Sequence, residues 1–254
     1  MIDSDNDNYL EDMSLWDEKT ASQYDTPGKE MFSDDVVIPT VRFLEKLAVN
    51  GQALEFAIGT GRIAIPLANK GIKVSGIDFS KAMVDQLRKK IDVEKLPVTI
   101  GDMTTTKIKG QFSLVYLVFN GISNLLTQHA QINCFKNAAA HLDKGGRFVI
   151  ELWIPELRKL PPGQEAVVWS VETGYIGLDS YDLINQHVIS HHFKFDQDGN
   201  KVELRRSKHR YVWPSELDLM ANLAGFKLEN RYSGWDYDPF DVEKRSHISV
   251  YIKE

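Results

Sequence analysis

The chain has 254 residues, 43% hydrophobic and 26% charged, proportions that bury a full core without disulfides or a structural metal, so one domain over 1–254 is expected. A net charge of -6 excludes the Lys and Arg excess that gathers a polyanion, and nucleic acid is not an expected partner. The single cysteine, Cys134, excludes an internal disulfide, and the acidic N-terminus and longest apolar run, 114–119, supply neither a leader nor a bilayer span; a cytoplasmic location without membrane contact is expected.

In chain order, residues 1–34 read as a flexible acidic arm with scattered Tyr9, Trp16 and Tyr24. Asp34 and Asp35 then open a helix carried by Val37, Val41, Leu44 and Leu47. Over 35–155 the chain alternates. Apolar runs at 52–58, 72–77, 97–100, 112–119 and 147–153 are separated by helical stretches at 61–70, 80–91 and 127–142, the βαβ rhythm of a parallel sheet. Ser80 and Thr127 are placed to cap two of these helices, and Asp143-Lys144-Gly145-Gly146 supplies a turn before the fifth strand. Cys134 sits at helical spacing with Ala130, Ala138 and Leu142 and is most simply core.

After Pro155 the rhythm changes. Residues 156–213 read as an insertion, with strand-like alternation at 183–195 and 201–213 around the turn 196–200. Residues 214–254 supply a capped helix from Ser215 to Leu223 and two closing strands at 226–232 and 247–252. The predicted fold class is α/β: a doubly wound, Rossmann-like, mostly parallel sheet with a C-terminal antiparallel hairpin and an inserted antiparallel β cover.

The segment Ala53 to Arg62 is a buried strand running into the glycine-rich turn Gly59-Thr60-Gly61 and a helix, the place where such a sheet receives an adenosine-bearing ligand. Gly59 and Gly61 let the backbone approach that ligand. Asp78, nineteen residues after Gly59, ends the next strand where a carboxylate takes both ribose hydroxyls. Asp102, in Gly101-Asp102-Met103, ends the third, where an acid accepts the adenine amine.

Through Glu55 to Arg62, Gly76 to Ser80, Gly101 to Met103 and the Gly145-Gly146 turn, residues 35–155 resemble the class I S-adenosylmethionine-dependent methyltransferases of the small-molecule branch. The resemblance implies S-adenosylmethionine as cofactor. It implies that Gly59, Gly61 and Arg62 lie along its methionine part, that Glu55 orients that loop or the amino group, and that Met83 packs on adenine while Asp102 and Met103 read its edge. Tyr24 is similar to an N-terminal tyrosine that covers the cofactor in family members; an exposed arm tyrosine fits the sequence equally. The family carries a glycine where Ala57 stands, so the loop is expected to be slightly re-shaped.

Two other functions share these residues. A nicotinamide-dependent oxidoreductase fits the spacing 59–64 with an acid about twenty residues on, but Glu55, Asp102 and the lack of a Tyr-x-x-x-Lys pair weigh against it. A catalytically silent cofactor-binding protein is the other.

For the acceptor, the segment after the fourth strand, with Asn120, is expected to border both cofactor and substrate. It lacks the paired prolines of the enzymes that methylate nucleobase amines. No metal ligands are spaced near the strand ends. Along 187–195, His187, Ile189, His191, Phe193 and Phe195 share one face. That face suits a pocket wall in which His187 and His191 take a proton from an acceptor amine or hydroxyl; partly buried histidines paired across strands fit the same pattern. Trp235, Tyr237 and Phe240 border the pocket or pack under a loop, and Glu151 has no assignment. The expected activity is methyl transfer to an N or O atom of a small metabolite.

Overall fold

The apolar runs fold as strands β1 (Gln52–Phe56), β2 (Lys73–Asp78), β3 (Val98–Ile100), β4 (Phe112–Leu117) and β5 (Leu142–Trp153) in the computed structural model, which describes residues 14–25, 30–49, 51–196, 198–241 and 243–254. These five are parallel, in the order β3-β2-β1-β4-β5. Alternate residues point to opposite faces, and both faces are covered. Leu54, Phe56, Val115 and Leu117 meet one layer of helices, α5 (Gln128–His141) and α6 (Pro214–Leu223). Ala53, Leu114 and Tyr116 meet the other, α2 (Asp34–Ala48), α3 (Ala64–Asn69) and α4 (Lys81–Arg88). Cys134 lies fully buried in the first layer, where burial pushes its thiol up and out of use.

Chain order runs outward from β1 to β3 and then jumps to β4 on the other side. The connections leaving the carboxyl ends of β1 and β4 therefore run in opposite directions, and that switch point opens the crevice where open α/β sheets bind ligands. The sheet is closed by β11 (Ser246–Lys253), antiparallel to β5, and β10 (Phe226–Tyr232), antiparallel to β11.

Both predicted caps form: Ser80 Oγ accepts from Met83 N–H at 3.2 Å and Thr127 Oγ1 from Ala130 N–H at 3.1 Å. Three expectations are corrected. The fifth strand starts at Leu142 directly after α5, and residues 143–146 are a bulge within it, since Phe112 pairs with Leu142 but Leu114 with Arg147; Gly145, at φ 77, permits the bulge. Helix α6 begins at Pro214, with no side-chain cap from Ser215, because proline is preorganised for the first helical position. Residues 14–25 are no loose arm. They form a turn at Ser14–Trp16 and helix α1 (Glu18–Tyr24), capped by Asp17. Ser80 Oγ donates to Trp16 O at 2.7 Å, and Asp25 accepts from Thr60 Oγ1 and Lys90 Nζ, both at 2.7 Å. Tyr9 lies outside the described residues.

The insertion is a four-stranded antiparallel sheet, β6 (Ala166–Glu172), β7 (Tyr175–Asp182), β8 (His187–Phe195) and β9 (Val202–Arg210). The hairpin β8–β9 matches the alternation, whereas β6 and β7 carry no signal in the reading above. Arg210, buried, anchors the cover by donating to Gln131 Oε1, Gln186 Oε1 and Glu216 Oε1. Such a pair is stable because its charges are hydrogen-bonded on several sides. Among the described residues no helix is long and apolar enough to cross a membrane.

Candidate functional site

The crevice at the switch point holds two adjoining cavities. One is lined by Ile77, Asp78, Phe79, Asp102, Met103 and Leu125, the other by Glu55, Gly59, Thr60, Arg62, Met83 and Phe119. Trp16, Ala57, Asp78, Phe79 and Asn124 belong to both, and Tyr24 of α1 closes the second. Eight of the ten residues read from the sequence as cofactor-binding thus converge here: Tyr24, Glu55, Gly59, Arg62, Asp78, Met83, Asp102 and Met103.

Asp78 links the loop to the strand end. Its Oδ2 accepts from Gly59 N–H at 2.6 Å and its Oδ1 from Ser80 N–H at 2.8 Å, leaving each oxygen one further acceptor site. Gly59 sits at φ 55, and a Cβ there would lie 3.3 Å from Met83 Cε, so the bare backbone keeps this floor open. Ala57 takes the left-handed conformation itself, φ 52. That backbone costs an L-residue about 1–2 kcal/mol. Asp102 Oδ1 accepts from Thr104 N–H at 2.7 Å, closing a local turn that aims the strand end at the first cavity.

Glu55 is buried, accepting from Tyr116 OH at 3.0 Å. Burial outweighs that bond and pushes its pKa up to about 8, and burial likewise pushes Asp78 up to about 6. The native state then holds protons that the unfolded chain releases near 4.5 and 3.8. The stability these two carboxyls contribute therefore falls as pH rises through this window, by an order of a few kcal/mol, and the fall ends above about 8. His209 and His247, which burial holds down to about 4 and about 3, pull the opposite way below pH 6.5, so the check is a difference. The Tm of the ligand-free wild type relative to Glu55→Gln is expected to fall between pH 5.5 and pH 8, and a constant difference would refute the burial argument.

Two residues expected to bind the cofactor do not line the cleft. Gly61, at φ 80, faces inward; a Cβ would lie 2.9 Å from Ile65 Cδ1 and 3.0 Å from Leu87 Cδ1, so its bareness serves the packing of α3 against α4. Asn120 is turned by its own φ of 61, and its Oδ1 accepts from Trp153 N–H at 2.7 Å. Asn124, one turn further, lines the cleft in its place.

A third cavity, of about 660 Å³, shares Trp16, Tyr24, Phe119 and Asn124 with the cleft. Its far side is the cover, through His192, Glu203, Arg205, Arg206, Ser207 and His209. Here the sequence reading is corrected: His187 and His191 occupy the other face of β8. His187 Nε2 bonds Leu126 O at 3.0 Å, and His191 Nε2 bonds Ser180 Oγ at 2.9 Å with its ring parallel to Phe193. Alternation defines two faces; only docking of the cover decides which looks inward. On the inward face His192 Nδ1 lies 2.6 Å from Tyr175 OH and its ring meets Trp169 edge-on. Burial lowers its pKa below the usual 6.5 and pushes that of His209 down to about 4, so both are neutral at pH 7.

Trp235 is also away from the cleft. Its Nε1 donates to Glu151 Oε1 at 3.2 Å, and its ring packs on Phe43 at 5.3 Å. Among the described residues no three His, Cys, Asp or Glu side chains are grouped to hold a metal ion. Phe119 and Asn124 belong to the segment after β4 expected to border the site; for Trp16 the signal is aromatic character alone, and aromatics are common enough in cores to carry little weight.

Residues 53–146 match the methyltransferase domain family. The chain is 30% identical to the CcbJ methyltransferase of Streptomyces caelestis, covering 94% of this chain and 98% of that one with a TM-score of 0.83. It is 21% identical over 256 residues to the cypemycin N-terminal methyltransferase of a Streptomyces species, covering 96% of this chain and all of the relative. CalS10, an amino pentose methyltransferase of Micromonospora echinaspora solved with S-adenosylmethionine bound, superposes with a TM-score of 0.69 at 18% identity, over 92% of this chain and 95% of that one.

Proposed function

Because the chain belongs to the S-adenosylmethionine-dependent methyltransferases, we propose that it transfers the methyl group to a nitrogen or oxygen of a small metabolite held between the cleft and the β cover. S-adenosylmethionine is the cofactor, which sets aside the nicotinamide alternative; formation of S-adenosylhomocysteine with an acceptor separates the catalytically silent one. When bound, it supplies a methyl carbon on a sulfonium, leaving S-adenosylhomocysteine after transfer.

The residues of the cleft fit such a ligand. Asp78 would accept from ribose, Asp102 and Met103 would meet the adenine edge, and Met83 would pack near the ring. Gly59, Glu55 and Arg62 would hold the amino-acid end beneath Tyr24. Glu55 binds an ammonium best as carboxylate, so cofactor affinity is tied to loss of its proton.

The observation that carries the acceptor reading is the cavity of about 660 Å³ that continues from the cleft to the cover. It has the size of small-molecule sites. Its cover wall presents neutral histidines, and Tyr24, Trp16 and Phe119 give it apolar sides. The net charge of -6 weighs against a polyanion as acceptor. The names of two relatives, an N-terminal methyltransferase and an amino pentose methyltransferase, favour nitrogen. Holding acceptor and methyl in contact supplies most of the rate, and His192 in the tautomer whose Nδ1–H donates to the Tyr175 oxygen offers a bare Nε2 for the acceptor's proton.

The test is a panel of amino sugars, hydroxylated metabolites and short peptides with free N-termini, each incubated with the full chain and S-adenosylmethionine. Mass spectrometry is expected to find S-adenosylhomocysteine and an N- or O-methylated small product. Methylation confined to DNA, RNA or folded protein would overturn the reading.

A further inference from the structure

We propose that Glu151 is a positioning residue that holds Phe119 as the wall shared by the cofactor cleft and the acceptor cavity. Phe119 and Asn120 are consecutive non-glycine residues at φ 52 and φ 61. L side chains persist in that region only where their surroundings over-determine them, and such strain gathers at functional sites. The surroundings here converge on Glu151. Phe119 N–H donates to its Oε2 at 2.7 Å, and Asn120 N–H donates to its backbone O at 3.2 Å. Asn120 Oδ1 ties the same turn to Trp153 N–H.

The second carboxylate oxygen, Oε1, accepts from Trp235 Nε1 at 3.2 Å, so one side chain braces the turn against the aromatic cluster on Phe43. Two donors meeting one side chain require two acceptor oxygens, which a carboxylate has and an amide lacks. The consequence is a phenylalanine ring left 45% exposed where packing alone would bury it. That ring borders both the cleft and the third cavity. The Arg62 guanidinium lies over it at 5.0 Å and donates onward to Met31 O at 3.0 Å. Glu151 thus sets a surface on which the end of the cleft is built without itself lining it.

The proposal rests on the reading of this cleft as the cofactor site, and its test uses S-adenosylhomocysteine as probe, independent of any acceptor. Calorimetric affinity is compared among wild type, Glu151→Leu, Glu151→Gln, Phe119→Ala and the double variant Glu151→Leu/Phe119→Ala, with thermal unfolding of each. Glu151→Leu is expected to bind at least about tenfold more weakly, the scale of a hydrogen bond to a charged group. Glu151→Gln is expected to recover only part of the loss, because its one amide oxygen accepts from Phe119 N–H only while its NH2 group faces Trp235 Nε1–H. The double variant is expected to bind no more weakly than Phe119→Ala alone, since residues acting through one another are not additive. Additive losses, or a folded Glu151→Leu binding within twofold of wild type, would overturn the proposal. Should Glu151→Leu not fold, the wild-type Phe119 amide decides: slow hydrogen exchange is expected, and exchange at the rate of an open loop overturns it. An Asp78→Ala variant that binds like wild type would sink the reading of the cleft instead, which keeps the two failures apart.

Discussion

Asp78→Ala is expected to weaken S-adenosylhomocysteine binding by about 1.5–3 kcal/mol, on the order of ten- to a hundredfold in Kd. The carboxylate lies between the two halves of the cleft and already orders both of its neighbours, Gly59 through Oδ2 and Ser80 through Oδ1. Alanine removes the acceptor for the ligand and also orphans two backbone N–H groups, so part of the loss comes from a slackened loop. Asp78→Asn is expected to rescue little, because its amide nitrogen must face one of those N–H donors. The pH dependence has a definite sign. Protonation near pH 6, where burial places this carboxyl, removes acceptor capacity, so wild-type affinity is expected to fall as pH drops through that value. Isothermal titration from pH 5 to 8 checks both statements, and a folded alanine variant with unchanged Kd would remove Asp78 from the site.

The cofactor half of this protein was legible because its signals are local. A strand, a tight turn and a helix start within a few residues of one another place Glu55, Gly59 and Asp78 by covalent connection, and the caps Ser80 and Thr127 depend on residues three positions away. Where a role depends on contacts across the fold, the sequence is silent or misleading. Gly61 shares its motif with Gly59, yet its missing Cβ accommodates Ile65 and Leu87. Asn120 is correctly placed along the chain, but two successive left-handed residues rotate it onto Trp153. Trp16 reaches the cleft because its carbonyl accepts from Ser80 Oγ, 64 positions away, and no periodicity in the acidic N-terminal stretch encodes that. The edge strand β6 is mostly exposed, with Val168 at 57% and Val171 at 74%, so it lacks the buried alternation by which strands are recognised.

The same limit governs the histidines, and it makes the choice of face testable. His192→Ala is expected to lower turnover of an acceptor identified by the panel by roughly 10²–10⁴-fold, the range for a group that takes a proton in the transition state. S-adenosylhomocysteine affinity is expected to stay nearly unchanged, because the residues proposed to hold the cofactor belong to β1, β2 and their loops while His192 belongs to the cover. His187→Ala and His191→Ala are expected to keep normal turnover, since their ring nitrogens are engaged by Leu126 O and Ser180 Oγ on the opposite face. Tyr175→Phe leaves His192 in place without its orienting bond and is expected to cost much less than the alanine change. The pH profile adds a second criterion. Burial holds the His192 imidazolium disfavoured, so turnover is expected to hold through pH 7 and fall only in acid, and the alanine variant is expected to lose that acidic limb. If a folded His192→Ala keeps turnover within fivefold of wild type with the limb intact, the acceptor loses its proton to solvent, and the cover serves only to orient it.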